Sequence, residues 1–82
     1  MSMTLSERLK QARMAAGFEN ASEFARAIAV QPNSIYRYER GDQTPSLSVA
    51  TRWAEVTSVS LGWLSTGEGA GPGPASTDTA AA

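Results

Sequence analysis

Four polar side chains recur along one short stretch of the chain: Asn33, Tyr36, Arg37 and Arg40, at i, i+3, i+4 and i+7. On a helix that spacing is a single face. The face carries two guanidinium groups, an amide and a phenol, and no acid. Arg pairs bidentately with guanine O6 and N7, and Asn with adenine N6 and N7. A helix about 10–12 Å across also fits a major groove about 12 Å wide. The chemistry on offer is recognition of a duplex. Other chemistries lack their residues. With no His and no Cys, the chain has no imidazole base, thiol nucleophile, thiolate metal site or disulfide. It has no clustered carboxylates for acid–base work, no Gly-rich phosphate loop and no nucleophile elbow. Gly67-Glu68-Gly69 reads as a chain-end feature. The expectation is a protein that is not an enzyme and uses no metal and no cofactor.

The elements that hold this face must fit in 82 residues, which is one domain at most. Seven basic residues against eight acidic give a net charge of −1. Nucleic-acid binders are usually basic, because neutralising phosphates releases counterions. Here the placement of the cations matters more than their total. No apolar run approaches the roughly 20 residues of a membrane span, and Met1-Ser2-Met3-Thr4 lacks the n- and h-regions of a signal peptide. A cytoplasmic domain is expected.

Five short helices are predicted, and no strands, since no β-branched run alternates apolar and polar residues. Thr4 and Glu7 form a capping box for the first helix, with Leu5, Leu9, Ala12 and Ala16 inward and Gly17 ending it. Asn20 caps the second, with Glu23 as reciprocal partner and Phe24, Ala25 and Ile28 inward. Pro32 opens the third at a position where its missing N–H costs nothing, and Gly41 stops it after Arg40. Ser46 caps the fourth, which buries Leu47, Ala50, Trp53, Ala54 and Val56. The fifth runs from Ser60 to about Ser65, with Leu61, Trp63 and Leu64, and Gly67 and Gly69 follow. The domain is read as residues 1–69. Residues 70–82 have no large apolar side chain and are read as a flexible tail or a cut linker.

Only Ala29-Val30-Gln31 separates the second and third helices in this reading. So short a link makes them cross steeply, as in a helix-turn-helix. Small Ala25 lies where the backbones approach, and Phe24, Ile28, Val30, Ile35 and Tyr38 face the joint. The polar face at 33, 36, 37 and 40 is left outside.

The runs Ala21-Ser-Glu-Phe-Ala25, Ile35-Tyr-Arg-Tyr-Glu-Arg-Gly41, Thr44-Pro-Ser-Leu47 and Val59-Ser-Leu-Gly-Trp-Leu-Ser-Thr-Gly-Glu-Gly69 resemble the lambda-repressor-like (Cro/CI or XRE-type) helix-turn-helix family. The likeness covers about residues 4–69. It implies an all-α, compact five-helix DNA-binding domain whose second and third helices form the helix-turn-helix. It further implies a repressor or regulator of bacterial or phage origin, usually a homodimer on an inverted repeat in double-stranded DNA. By position in that family, Pro32 and Asn33 meet bases and Arg37 a base or a phosphate, and Tyr36 and Arg37 are taken with them as the base-reading set of the face. Asn20, Arg40 and the loop residues Gly41, Gln43 and Thr44 meet phosphates. Arg13 and Glu39 correspond to a family ion pair between the first helix and the end of the third. Pairing of subunits is expected to use Leu61, Trp63 and Leu64.

Several residues depart from the family pattern. Ala21 replaces a frequent Gln, Pro32 offers only apolar contact, and Thr57-Ser58 stands where Leu-Gly is expected. Ala29 replaces a turn Gly, and Asp42 sets a negative charge on the expected phosphate path. Arg8 and Lys10 read as solvated, with phosphate contact open to one of them. Tyr36 reads equally as a cover for the end of the second helix. An antitoxin-like or anti-repressor-like interaction module on the same scaffold is the competing reading, favoured by the slight acidity and by Ala21. The Ala70-Gly71 step matches the self-cleavage dipeptide of some repressors, a lone match to which no role is given.

Overall fold

Thr4 starts the first helix, α1 (Leu5–Ala15), with a complete capping box. The Glu7 N–H donates to Thr4 Oγ1 at 3.2 Å, and the Thr4 N–H donates to Glu7 Oε1 at 2.8 Å. Four further helices follow: α2 (Ala21–Ala27), α3 (Pro32–Arg40), α4 (Leu47–Thr57) and α5 (Leu61–Thr66). This is the computed structural model of the chain, and it describes residues 3–69, 71 and 72. Among them there is no strand. The stretch read as a tail, 70–82, lies outside the described residues except for Gly71 and Pro72.

Each helix is closed by a residue in the left-handed region, at 17, 29, 41, 58 and 67. After α1, the Gly17 N–H donates to the Met14 carbonyl and the Phe18 N–H to the Arg13 carbonyl, the paired bonds of a Schellman stop. Two of the five stops are not Gly: Ala29 at φ 61° and Ser58 at φ 60°. Helix caps hold the other ends. Asn20 Oδ1 accepts from the Ser22 and Glu23 N–H groups, and Ser46 and Ser60 accept from Val49 and Trp63. The cap at Asn20 runs one way, without the return bond expected from Glu23.

The core is a chain of aromatic rings with aliphatics around it. Phe24 meets Trp53 edge-on at 4.8 Å, and Tyr38 and Phe18 extend the row. Leu9, Ile28, Ile35 and Leu64 fill in around them, almost fully buried. The Trp53 Nε1–H donates to the Leu9 carbonyl at 3.0 Å, so the buried ring carries no unpaired donor.

Three sequence expectations need correction. Leu47 is 72% exposed, and Val49 takes its place in the core. Leu47 is the first residue of α4. The buried stripe of α4 runs through Val49, Trp53 and Thr57, and Leu47 lies to one side of it, about 120° around the helix from its middle. Ala16 is exposed because α1 ends before it. Arg8, expected in solvent, is 7% exposed. Its Nε donates to the Leu64 carbonyl at 2.9 Å and its Nη2 to the Ser65 carbonyl at 2.9 Å. Its Nη1 donates to the carbonyl of Met3. The guanidinium thus fastens the carbonyl end of α5 to α1, where the helix dipole favours a cation.

Candidate nucleic-acid interface

Around the joint of α2 and α3, Phe24, Ala25, Ile28 and Ile35 are fully buried. Helix α2 ends at Ala27 with Ile28 as its cap, one residue earlier than expected. The turn then passes through left-handed Ala29, and the Val30 N–H donates back to the Ala25 carbonyl at 2.9 Å. Pro32 opens α3. Burying Ile35 and Tyr38 fixes the rotation of α3 about its axis. That rotation leaves Asn33, Tyr36, Arg37 and Arg40 all exposed.

Behind α3, an ion pair sets its far end. The Arg13 Nε donates to Glu39 Oε2 at 2.7 Å and Nη2 to Oε1 at 3.1 Å, a side-on bidentate contact. The Arg13 Nη1 also donates to the carbonyls of Phe18 and Glu19. Both side chains are under 10% exposed, at 7% and 8%. Charge-assisted, bidentate and shielded from water, this contact ties the last turn of α3 to α1.

The four ridge groups differ in how they are engaged. Tyr36 is half exposed, at 50%. The Arg37 side chain makes no hydrogen bond among the described residues, while its carbonyl accepts from the Asp42 and Gln43 N–H groups. Those two bonds fold the loop 41–44 against the end of α3. The guanidinium of Arg40 is held by Asp42: Nε and Nη2 lie 3.1 and 3.0 Å from Oδ2. Gly41, Gln43 and Thr44 are exposed in that loop. Asn20 is exposed at the head of α2, with its oxygen engaged in the cap. Pro32 and Asn33 are exposed at the head of α3. Gln31, given no role from sequence, belongs with them. It is the N-cap of α3, makes no side-chain cap bond, and is exposed at the same edge with no side-chain hydrogen bond among the described residues. The signal was its residue type, since Gln is a poor helix cap.

The residues expected to pair subunits separate. Leu64 is 1% exposed and belongs to the core. Leu61 is half-buried and lines, with Leu5, Pro45, Leu47 and Ala50, an apolar groove floored by Leu64. Trp63 is not in that groove. Gly71 lies against its indole, so closely that a Cβ at 71 would come within 2.8 Å of Trp63 Nε1.

Among the described residues no helix is long and apolar enough to cross a membrane, and no cluster of acidic side chains is arranged to hold a metal. Comparison with known proteins agrees with this geometry. Residues 9–64 match the helix-turn-helix family, a span that includes α2, its left-handed turn and α3. The chain belongs to that family. Over 47 residues it is 47% identical to an "Uncharacterized HTH-type transcriptional regulator" of Haemophilus influenzae. That alignment spans 57% of this chain and 20% of the relative, so the match covers about a fifth of the relative's length. In three dimensions the chain is similar to the P22 c2 repressor protein, solved in complex with a synthetic operator, with a TM-score of 0.75 and 16% sequence identity. The superposition covers 82% of this chain and all of that one. The likeness shows a shared fold, which in this chain is the compact five-helix, lambda-repressor-like one.

Proposed function

We propose that this protein is a DNA-binding transcriptional regulator that acts as a repressor in the cytoplasm, with residues 1–69 as the DNA-binding unit. In this reading α3 lies in the major groove of double-stranded DNA. Asn33, Tyr36 and Arg37 face base edges, with Pro32 giving apolar contact. Asn20, Arg40, Gly41, Gln43 and Thr44 face phosphates. Two copies pair on an inverted repeat through the apolar groove beside α5. The observation that carries this reading is the exposed ridge at 33, 36, 37 and 40, presented by the second helix of a helix-turn-helix whose other face is locked into the core. The operator-bound state of the similar P22 c2 repressor supports it.

Selection of bound sequences from a random duplex pool tests the proposal. Enriched sequences should contain two inverted half-sites about 10 base pairs apart, centre to centre. Folded protein that enriches no sequence at low salt would overturn it.

A further inference from the structure

We propose that Asp42 sets the DNA affinity of this interface by competing with phosphate for the guanidinium of Arg40. The inference rests on the DNA-binding reading above. Two contacts at 3.1 and 3.0 Å bring Arg40 onto a single carboxylate oxygen, Oδ2 of Asp42. The side chains are 67% and 59% exposed, so an arriving phosphate can reach both. This pair differs in kind from Arg13–Glu39, which is bidentate and shielded.

Asp42 does little for the fold where it stands. Its N–H closes the carbonyl end of α3 onto Arg37 at 2.9 Å, which puts its carboxylate beside the negative pole of the helix dipole, an unfavourable place for an anion. An exposed ion pair contributes little in water. The contact is therefore weak enough to exchange. The ridge holds two cations, of which Arg37 has no side-chain partner among the described residues and Arg40 is already compensated. When phosphate takes Arg40, the pair is lost and Asp42 is left beside a second anion. Both effects oppose binding. Phosphate contacts carry no base information, so the opposition falls alike on every sequence.

Because the effect is sequence-independent, the operator is not needed to test it. A mixed-sequence duplex of roughly 20 base pairs, about two helical turns, serves as the probe, titrated by fluorescence anisotropy at about 50 mM salt and above. Asp42→Asn keeps the shape and removes the charge. It should bind about three- to tenfold more tightly at low salt, with the gain shrinking as salt rises. The log–log salt slope should steepen by up to about 0.9, one more phosphate neutralised. In an Arg40→Gln background the same change should gain clearly less. In the free protein, the Arg40 Nε–H resonance should shift on Asp42→Asn.

An unmoved Arg40 resonance overturns the pairing, with or without DNA. Native protein that binds while Asp42→Asn binds no tighter overturns the competition. An equal gain in the Arg40→Gln background overturns it too, since Asp42 would then act by repulsion alone. Folded protein of every variant failing to bind at low salt would instead overturn the DNA-binding reading, and this inference with it.

Discussion

Arg13 and Glu39 lie 26 residues apart in the chain and meet in a two-bond contact at 2.7 and 3.1 Å. The contact joins the middle of the molecule to the end of the candidate recognition helix. Removing one partner of a buried pair leaves the other charge uncompensated, which typically costs about 3–5 kcal/mol. Glu39→Ala should therefore lower stability by about that amount, a large share of the total in a domain this small. Urea unfolding followed by circular dichroism reads it. A loss below about 1 kcal/mol, as for a surface pair, would show that the contact is not shielded in solution.

A second long-range fastening predicts a local effect. Arg8 donates to the Leu64 and Ser65 carbonyls at the end of α5, and hydrogen bonds to charged groups contribute about 1.5–3 kcal/mol each. Arg8→Met keeps the aliphatic stem and removes the donors. It should destabilise by about 2–4 kcal/mol. Hydrogen exchange should speed most in α5, before the rest of the core. Uniform protection across all helices in the variant would contradict the clamp.

These two arginines mark where sequence reading succeeds and where it stops. Helix limits were legible because their causes are local: Thr4, Asn20, Ser46 and Ser60 are caps, and Gly17 and Gly41 are left-handed stops. The ridge on α3 was legible because burial of Ile35 and Tyr38 leaves only one face outside. Arg8 was not, since its partners lie 56 and 57 residues away and nothing near it in sequence asks for a buried cation. Leu47 was misplaced because periodicity alone sets the phase of α4 loosely. Val49, Trp53 and Thr57, at i, i+4 and i+8, carry the true inward stripe. The partner of Arg40 is not legible although it lies only two residues on, because the family likeness sets Asp42 against a phosphate and not against the arginine beside it.

The turn of the helix-turn-helix holds strain that can be relieved. Ala29 sits at φ 61°, where an L-residue is disfavoured by about 1–2 kcal/mol and Gly is not. Ala29→Gly should raise stability by about 0.5–1 kcal/mol after the greater chain entropy of Gly is offset. Ser58→Gly, at φ 60°, should act in the same direction and add to it. An unfolding midpoint that stays put or falls in either variant would contradict a left-handed residue there.

The exposed Leu47 gives a handle on subunit pairing. At 72% exposure its replacement should change stability by no more than about 0.5 kcal/mol. It borders the apolar groove lined by Leu61 and floored by Leu64. If two copies pair there, Leu47→Glu should weaken the dimer about tenfold or more, since a charge would enter an apolar contact. Sedimentation over a concentration series reads the constant. A dimer of unchanged affinity would move the pairing surface elsewhere.

The two arginines of the ridge should fail differently. Arg37 has no side-chain partner among the described residues and opens the last turn of α3, free to reach a base edge. Arg40 is the last residue of the helix, beside a loop, and is already paired with the carboxylate of Asp42. Arg37→Ala should cost about 1–3 kcal/mol on the best duplex and relax one base position, because a bidentate base contact carries discrimination. Arg40→Ala should weaken all duplexes by one common factor and flatten the salt slope by clearly less than the roughly 0.9 of a full phosphate contact. Its loss should be smaller than a free arginine would give, because Asp42 has already neutralised part of the charge. Competition binding against single-base variants of a selected site separates the two. Equal and sequence-independent losses would mean that Arg37 touches only the backbone, and the reading of bases would then fall to Asn33, Tyr36 and the amide of Gln31.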